Sequence, residues 1–197
     1  GSDSGNRLAY FDAARTGAEA GAGAGAGVFG ELAAVIRSAR RGLLVVAGGG
    51  DASDALAAAE IARLLGWAVA ADAASGLRVK GAGAVSDDAG LNLEWSAATG
   101  ECPNIVGCLD LMLVSDEVAA YARPDVIVQI NTRLTSKRVQ TLLEAAALEG
   151  GAAWAAVVPQ DRRADPGHCV SLHVASDAPT AAAALTSILG GSGGGGG

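Results

Sequence analysis

The chain has 197 residues, a formal net charge of −7 and an aromatic content of only 4%. This length suits one α/β domain with additional terminal segments, and half of the residues are apolar. The acidic balance argues against a general nucleic-acid-binding or anionic-membrane surface, because both need a basic face, so any anion site must come from a local cluster of cations.

Both ends of the chain are of low complexity. Residues 1–27, with the run GAEAGAGAGAG, predict a flexible Gly/Ala-rich segment, and GGSGGGGG at 190–197 predicts a Gly-rich linker. The folded domain is predicted between residues 28 and 189. Because the chain starts with Gly1-Ser2 and lacks an initiator methionine, we interpret it as part of a longer polypeptide.

Between these limits, short apolar runs alternate with helical stretches. In chain order the predicted elements are a helix at 28–42, a strand at 43–48, a helix at 51–66, a strand at 67–72, a mostly helical segment at 104–122, a strand at 125–131, a helix at 135–149, strands at 152–159 and 169–175, and a helix at 178–189. Apolar strands separated by helices indicate a parallel sheet covered on both faces. The predicted fold class is therefore α/β, a Rossmann-like doubly wound sheet of about five to six strands, with ligands bound beyond the strands' carboxyl ends.

The first candidate site is the run VVAGGGDASDA after the first strand. Gly48 and Gly50 precede a helix, and Asp72 ends the second strand, where a dinucleotide site keeps its ribose-binding carboxylate. Ser53 stands where the third glycine of GxGxxG is expected. Since a tight strand-to-helix turn needs glycines whether or not it binds a ligand, a packing role is favoured, and a stand-alone NAD- or FAD-binding domain is the alternative hypothesis.

Two further candidate sites contain clustered cations. Arg78 and Lys80 follow the second strand, where a functional site and a solvated loop are equally consistent with the pattern. Arg133, Lys137 and Arg138 surround the start of the helix predicted at 135–149, which Thr135 or Ser136 can cap. Cations in a first helical turn oppose the helix dipole, so helix stability does not explain them and a carboxylate or phosphate receptor is favoured.

Neither the histidines nor the cysteines form a catalytic or metal-binding pattern. His168 lies in DRRADPGHC without a partner nucleophile, and His173 lies within an apolar strand, so we interpret both as structural. The three cysteines have no CxxC pair, which favours ordinary thiols in a reducing compartment.

Three segments taken together resemble one enzyme family. GWAVAADAASGLR, PDVIVQINTRLTSKR and DRRADPGHC occur in the order and spacing of the middle domain of the MenD family, 2-succinyl-5-enolpyruvyl-6-hydroxy-3-cyclohexene-1-carboxylate synthase. The resemblance covers roughly residues 30–189. It implies a three-domain enzyme that uses thiamine diphosphate and Mg²⁺, decarboxylates 2-oxoglutarate and adds the product to isochorismate in menaquinone or phylloquinone biosynthesis.

For this segment the resemblance implies a middle domain that usually binds no dinucleotide. It places a substrate-contacting lysine of the TSKR segment at Lys137, with Arg138 as a weaker candidate, and we add Arg133 and Arg78 as cations near the same edge. No catalytic, cofactor-binding or metal-binding residue is expected here, because the GDG motif and the cofactor-activating glutamate belong to the neighbouring diphosphate- and pyrimidine-binding domains. The segment alone is therefore expected to be inactive.

The resemblance also implies the setting of the protein. We expect a homo-oligomer when the enzyme is intact, either in a chloroplast, as part of a fused plant or algal protein, or in a bacterial cytoplasm. No nucleic-acid or membrane partner is expected. A purely architectural domain, or one that binds a downstream acidic product through Arg78 and Lys80, remains open at this point.

Overall fold

Residues 22–78, 104–132, 134–159 and 167–191 are described by the computed structural model. They form a parallel sheet of five strands: β1 (Gly42–Val46), β2 (Ala68–Ala71), β3 (Val126–Ile130), β4 (Ala153–Val158) and β5 (Leu172–Ala175). The helices are α1 (Ala22–Ser38), α2 (Ala52–Leu65), α3 (Leu109–Met112), α4 (Asp116–Tyr121), α5 (Lys137–Leu148) and α6 (Ala178–Gly190). A short 3₁₀ turn at Ala73–Ser75 follows β2.

The strand order is β2-β1-β3-β4-β5, and every neighbouring pair is parallel. Leu44 of β1 lies opposite Val69 of β2 on one side and Val128 of β3 on the other. This arrangement confirms the predicted α/β doubly wound fold. The chain leaves β1 toward β2 and then crosses to β3, and the loops beyond the strands' carboxyl ends diverge at this change of direction.

Consecutive side chains of the central strands pack on opposite faces of the sheet. Leu44 and Val128 pack with residues of α1, α2 and α6 on one face. Leu43 and Ile127 pack with Trp154 and α5 on the other face. Because both faces are covered, the strands are mostly apolar rather than alternating, and Gln129 of β3 and His173 of β5 are the polar exceptions.

The helix starts follow from local hydrogen-bond chemistry. Asp51 caps α2, where its carboxylate accepts from the N–H of Asp54 at 3.1 Å, and the Asp54 carboxylate accepts from the N–H of Asp51 at 3.2 Å. Ser136 caps α5 by accepting from the N–H of Val139 at 3.1 Å. Asp51 is therefore the cap of α2, and of the two candidate caps of α5, Thr135 and Ser136, the cap is Ser136.

Two predicted elements differ from the structure. The helix predicted at 28–42 spans Ala22–Ser38, so it begins inside the segment assigned to the flexible N-terminus and ends before β1 starts at Gly42. The segment 104–122 is not one helix, because Ile105 forms a parallel bridge with Val69 of β2 and the remainder divides into α3 and α4. Ser115 caps α4 by accepting from the N–H of Val118, which starts a new helix there.

The domain limits 28–189 stay a prediction, since residues 1–21 and 192–197 lie outside the described ranges. None of the helices that the structure describes is long and apolar enough to cross a membrane.

Candidate functional site

A cavity of about 610 Å³ opens at the carboxyl edge of the sheet, between the end of β2 and the start of α5. Its lining includes Arg78 from the turn after β2, and Lys137 and Arg138 from the first turn of α5. Three of the four predicted substrate-contacting cations, which come from two distant segments, therefore share one cavity. The fourth, Arg133, lies outside the described residues, as does Lys80.

Asp72 forms the floor of this site at the end of β2, and only 6% of its surface is exposed. Its carboxylate accepts hydrogen bonds from the N–H of Thr135 at 2.7 Å, from the Thr135 hydroxyl at 2.8 Å and from the N–H of Ala74 at 2.9 Å. Burial raises the pKa of Asp72, but these donors and the N–H of Ser136 outweigh it, so the pKa lies below the ordinary aspartate value. Asp72 is thus an ionised, internally hydrogen-bonded group.

Asp110 of α3 holds the other side of the α5 N-terminus. It accepts a hydrogen bond from the Ser136 hydroxyl, and its second oxygen lies 3.1 Å from a guanidinium nitrogen of Arg138. Both side chains of the ion pair are partly exposed, at 54% for Arg138 and 43% for Asp110, so the pair contributes little to stability. The ion pair does affect the charge available to a ligand at this site, because Asp110 already neutralises part of the Arg138 charge.

The remaining two cations differ in their surroundings. The Arg78 guanidinium donates to the carbonyl oxygen of Gly107, which ties the turn after β2 to the loop before α3. The Lys137 side chain is exposed and makes no hydrogen bond or ion pair with any residue in the described ranges. Lys137 also lines an adjoining cavity of about 570 Å³ between α4 and α5. Of the three cavity cations, Arg138 has an anionic partner and Arg78 a backbone carbonyl acceptor, whereas Lys137 has neither among the described residues.

The glycines of VVAGGGDASDA have local structural reasons. A Cβ at Gly48 would lie 2.6 Å from the Cβ of Ala74, in the 3₁₀ turn after β2. A Cβ at Gly50 would collide with the side chains of Asp54 and Asn131. Gly49 has a φ of +105°, which side-chain-bearing residues rarely adopt. The glycine run therefore lets the β1–α2 turn pack closely against the loops that follow β2 and β3.

The remaining polar candidates lie elsewhere. His168 is exposed with a φ of +53°, and burial of His173 in β5 lowers the pKa of that imidazole. No group of three or more His, Cys, Asp or Glu side chains among the described residues is arranged to hold a metal ion. Cys108 lines the cavity and is exposed, and Cys169 is half-buried.

Asp110 is the site residue that the sequence analysis missed. Its segment was predicted to be mostly helical, and one acidic residue in an apolar helix carries no sign of a partner far along the chain. Its only local signal is its position in a first helical turn, where carboxylates are common.

The chain has two curated relatives at significant similarity, and no protein-family model matches it. It is 32% identical over 158 residues to 2-succinyl-5-enolpyruvyl-6-hydroxy-3-cyclohexene-1-carboxylate synthase of Salinibacter ruber, across 80% of this chain and 23% of that protein. It is 31% identical over 147 residues to "Protein PHYLLO, chloroplastic" of Arabidopsis thaliana, across 75% of this chain and 8% of that protein. The chain thus spans less than a quarter of either relative's length.

Proposed function

The chain is related in sequence to a domain-sized part of 2-succinyl-5-enolpyruvyl-6-hydroxy-3-cyclohexene-1-carboxylate synthase, and from this premise we propose that it is the middle domain of such a synthase. The intact enzyme joins the decarboxylation product of 2-oxoglutarate to isochorismate in menaquinone or phylloquinone biosynthesis. It acts as a homo-oligomer in a chloroplast or a bacterial cytoplasm. This domain supplies cations to the substrate site and a rigid support for its neighbours.

The observation that carries the proposal is the position of Lys137. It lies at the carboxyl edge of a parallel sheet, where such folds bind ligands. It lines a cavity with two other cations, and its charge is unpaired among the described residues. Both proposed substrates carry carboxylates, so an ammonium group at this place has an anionic group to bind.

The role of Lys137 is to bind and orient a substrate carboxylate. Charge-assisted hydrogen bonds of this kind are short and stronger than neutral ones. Fixing the carboxylate limits the substrate's motion relative to the reacting atoms, which lowers the entropic part of the barrier. Arg138 is a secondary contact, since Asp110 shares its charge, and Arg78 mainly fixes the loop that lines the cavity.

Thiamine diphosphate and Mg²⁺ do not fit the residues described here. The two cavity carboxylates, Asp72 and Asp110, are engaged by Thr135, Ser136 and Arg138, and no cluster of metal ligands lies among the described residues. We therefore assign cofactor and metal binding to the neighbouring pyrimidine- and diphosphate-binding domains, and no step of the reaction is placed on this segment.

The alternative of a stand-alone NAD- or FAD-binding domain has less support. It needs Gly48 and Gly50 to approach a pyrophosphate and Asp72 to accept from a ribose hydroxyl. The two glycines are instead required by contacts with Ala74 and Asp54, and Asp72 accepts from the protein's own donors. Micromolar binding of NAD or FAD to the chain would favour this alternative.

The test is the steady-state kinetics of Lys137→Ala in the full-length synthase. Loss of one charge-assisted hydrogen bond to substrate is expected to lower kcat/KM roughly 10- to 100-fold, with an unchanged melting temperature. The matched control is Arg40→Ala, which removes an exposed cation just before β1, at the opposite edge of the sheet. Wild-type kinetics for Lys137→Ala would refute the proposed contact between Lys137 and substrate. An equal loss of kcat/KM in both variants would indicate a general charge effect.

A further inference from the structure

Asp72 is a buried charge that the proposed function does not use. It is 6% exposed, and among the described residues no cation forms an ion pair with it. Placing a carboxylate in such a position is costly unless hydrogen bonds compensate the lost hydration. The identity of those compensating donors therefore indicates what the charge is for.

Most of the donors belong to the segment that leads into α5. Thr135, which is 63 positions away in sequence, donates both its N–H, at 2.7 Å, and its hydroxyl, at 2.8 Å. The N–H of Ser136 also favours the charged carboxylate and helps to lower the pKa of Asp72. The carboxylate thereby fixes the backbone and the side chain of the residue directly before the helix cap.

The position of Lys137 follows from this arrangement. Ser136 caps α5 through the N–H of Val139, and Lys137 is the first helical residue. With Thr135 held by Asp72 and Ser136 held by its own cap bond, the backbone of Lys137 is fixed on its N-terminal side. The negative charge of Asp72 also lies at the positive end of the α5 dipole, which offsets the unfavourable cations of the first turn.

We propose that Asp72 is a positioning residue, which holds the Thr135–Ser136 segment so that Lys137 presents its ammonium group to the cavity. The effect of Asp72 on substrate binding rests on the proposed function, whereas its effect on the Thr135–Ser136 segment does not. The carboxylate oxygens of Asp72 are engaged by the protein's own donors, so we assign it no ligand contact. The α5 N-terminus is in part already occupied by this internal carboxylate, so a ligand anion is bound mainly by the Lys137 side chain.

Four variants separate positioning from general stability. Asp72→Asn preserves the shape but replaces one acceptor oxygen with a donor group. Thr135→Val removes only the hydroxyl donor, and Thr135→Ser keeps that hydroxyl as the conservative rescue. Asp177→Asn is the matched control, because Asp177 caps α6 by accepting from the N–H of Thr180 at 2.7 Å and does not line the cavity.

The first readout needs no ligand. Hydrogen exchange of the full-length protein, measured by mass spectrometry, should accelerate about tenfold in peptides that cover residues 134–140 for Asp72→Asn and Thr135→Val. Thr135→Ser and Asp177→Asn should leave these peptides as in the wild type. Unchanged exchange at 134–140 in Asp72→Asn, or acceleration spread evenly over the whole domain, would overturn the positioning role.

The second readout is the Michaelis constant for the acidic substrates. In Asp72→Asn and Thr135→Val it should rise roughly tenfold while kcat changes less, because Lys137 is present but misplaced. Accelerated exchange together with a wild-type Michaelis constant, while Lys137→Ala is impaired, would overturn the inference. Wild-type kinetics of Lys137→Ala would instead refute the proposed function, and the exchange result would still decide whether Asp72 holds the segment.

Discussion

Gly48→Ala tests whether the glycine run after β1 serves packing. Built on the observed backbone, the new methyl carbon would lie 2.6 Å from the Cβ of Ala74 and 3.3 Å from the carbonyl carbon and oxygen of the same residue. Ordinary contacts between such atoms are about 3.5–4.0 Å. The 3₁₀ turn that carries Ala74 is tied to Asp72, so the clash must shift backbone rather than a flexible side chain.

The expected cost is that of overpacking a tightly packed site. Inserting one methyl group where it does not fit typically costs 1–3 kcal/mol, so we expect a loss of about 2 kcal/mol in the free energy of unfolding. For a domain of this size that corresponds to a fall of about 4–8 °C in melting temperature.

The assay is equilibrium urea denaturation of the chain as a double-mutant cycle with Ala74→Gly. Ala74→Gly alone should cost up to about 1 kcal/mol through backbone entropy. In the double variant the shortest contact is absent, so the two changes should cost at least about 1 kcal/mol less together than their sum. The contacts at 3.3 Å remain, so recovery is expected to be partial.

Two results would refute this reasoning. One is a Gly48→Ala variant with wild-type stability. The other is strict additivity with Ala74→Gly. Either would leave the glycine without a packing reason and would return the run to the dinucleotide interpretation.

Three further predictions concern the site and the core. Asp110→Asn keeps an acceptor for the Ser136 hydroxyl but removes the negative charge beside Arg138. It should therefore lower the Michaelis constant for an acidic substrate about threefold, which is the effect of one charge about 6 Å away in a solvent-exposed site. A higher Michaelis constant in Asp110→Asn would contradict this. Burial raises the pKa of Asp72, but its hydrogen bonds lower that pKa by more, so the folded pKa lies below the unfolded pKa. The stability that ionised Asp72 contributes is therefore complete above the unfolded pKa of about 3.9 and is lost as the pH falls through the lower folded pKa. The difference in unfolding free energy between wild type and Asp72→Asn should therefore shrink below about pH 4, and a difference independent of pH would be inconsistent with an ionised Asp72. Leu143→Ala, at a fully buried position of α5, should cost about 2–5 kcal/mol in urea denaturation, whereas Leu148→Ala, at a position 71% exposed, should cost less than about 1 kcal/mol; equal losses would contradict the core assignment.

The sheet was predictable from local pattern. Apolar runs such as LLVV mark strands buried on both faces, and polar caps such as Asp51 and Ser136 mark helix starts, so most predicted boundaries lie within a few residues of the observed ones. Where the signal was weak, the prediction was wrong. The Gly/Ala repeat hid the start of α1 at Ala22, and the apolar segment after Asn104 contains a strand-like bridge that its composition does not reveal.

The candidate site was only partly predictable. The resemblance carried by three segments is confirmed by the two relatives, and Lys137, Arg138 and Arg78 do line one cavity. The hydrogen-bond partners of the two nearby carboxylates, Asp72 and Asp110, were not predictable from the sequence. The alternative dinucleotide hypothesis gives Asp72 a ribose contact because of its position at a strand end. In the structure its partner is Thr135, and nothing in a local pattern reveals a contact made 63 residues along the chain.

The most direct measurement of the central claim is a structure of the full-length synthase with an acidic substrate or a non-reactive analogue bound. We expect a substrate carboxylate oxygen at about 2.7–3.2 Å from Nζ of Lys137, within the cavity between β2 and α5, and Asp72 still hydrogen-bonded to Thr135. A substrate whose carboxylates are all bound elsewhere, with Lys137 facing solvent, would contradict it.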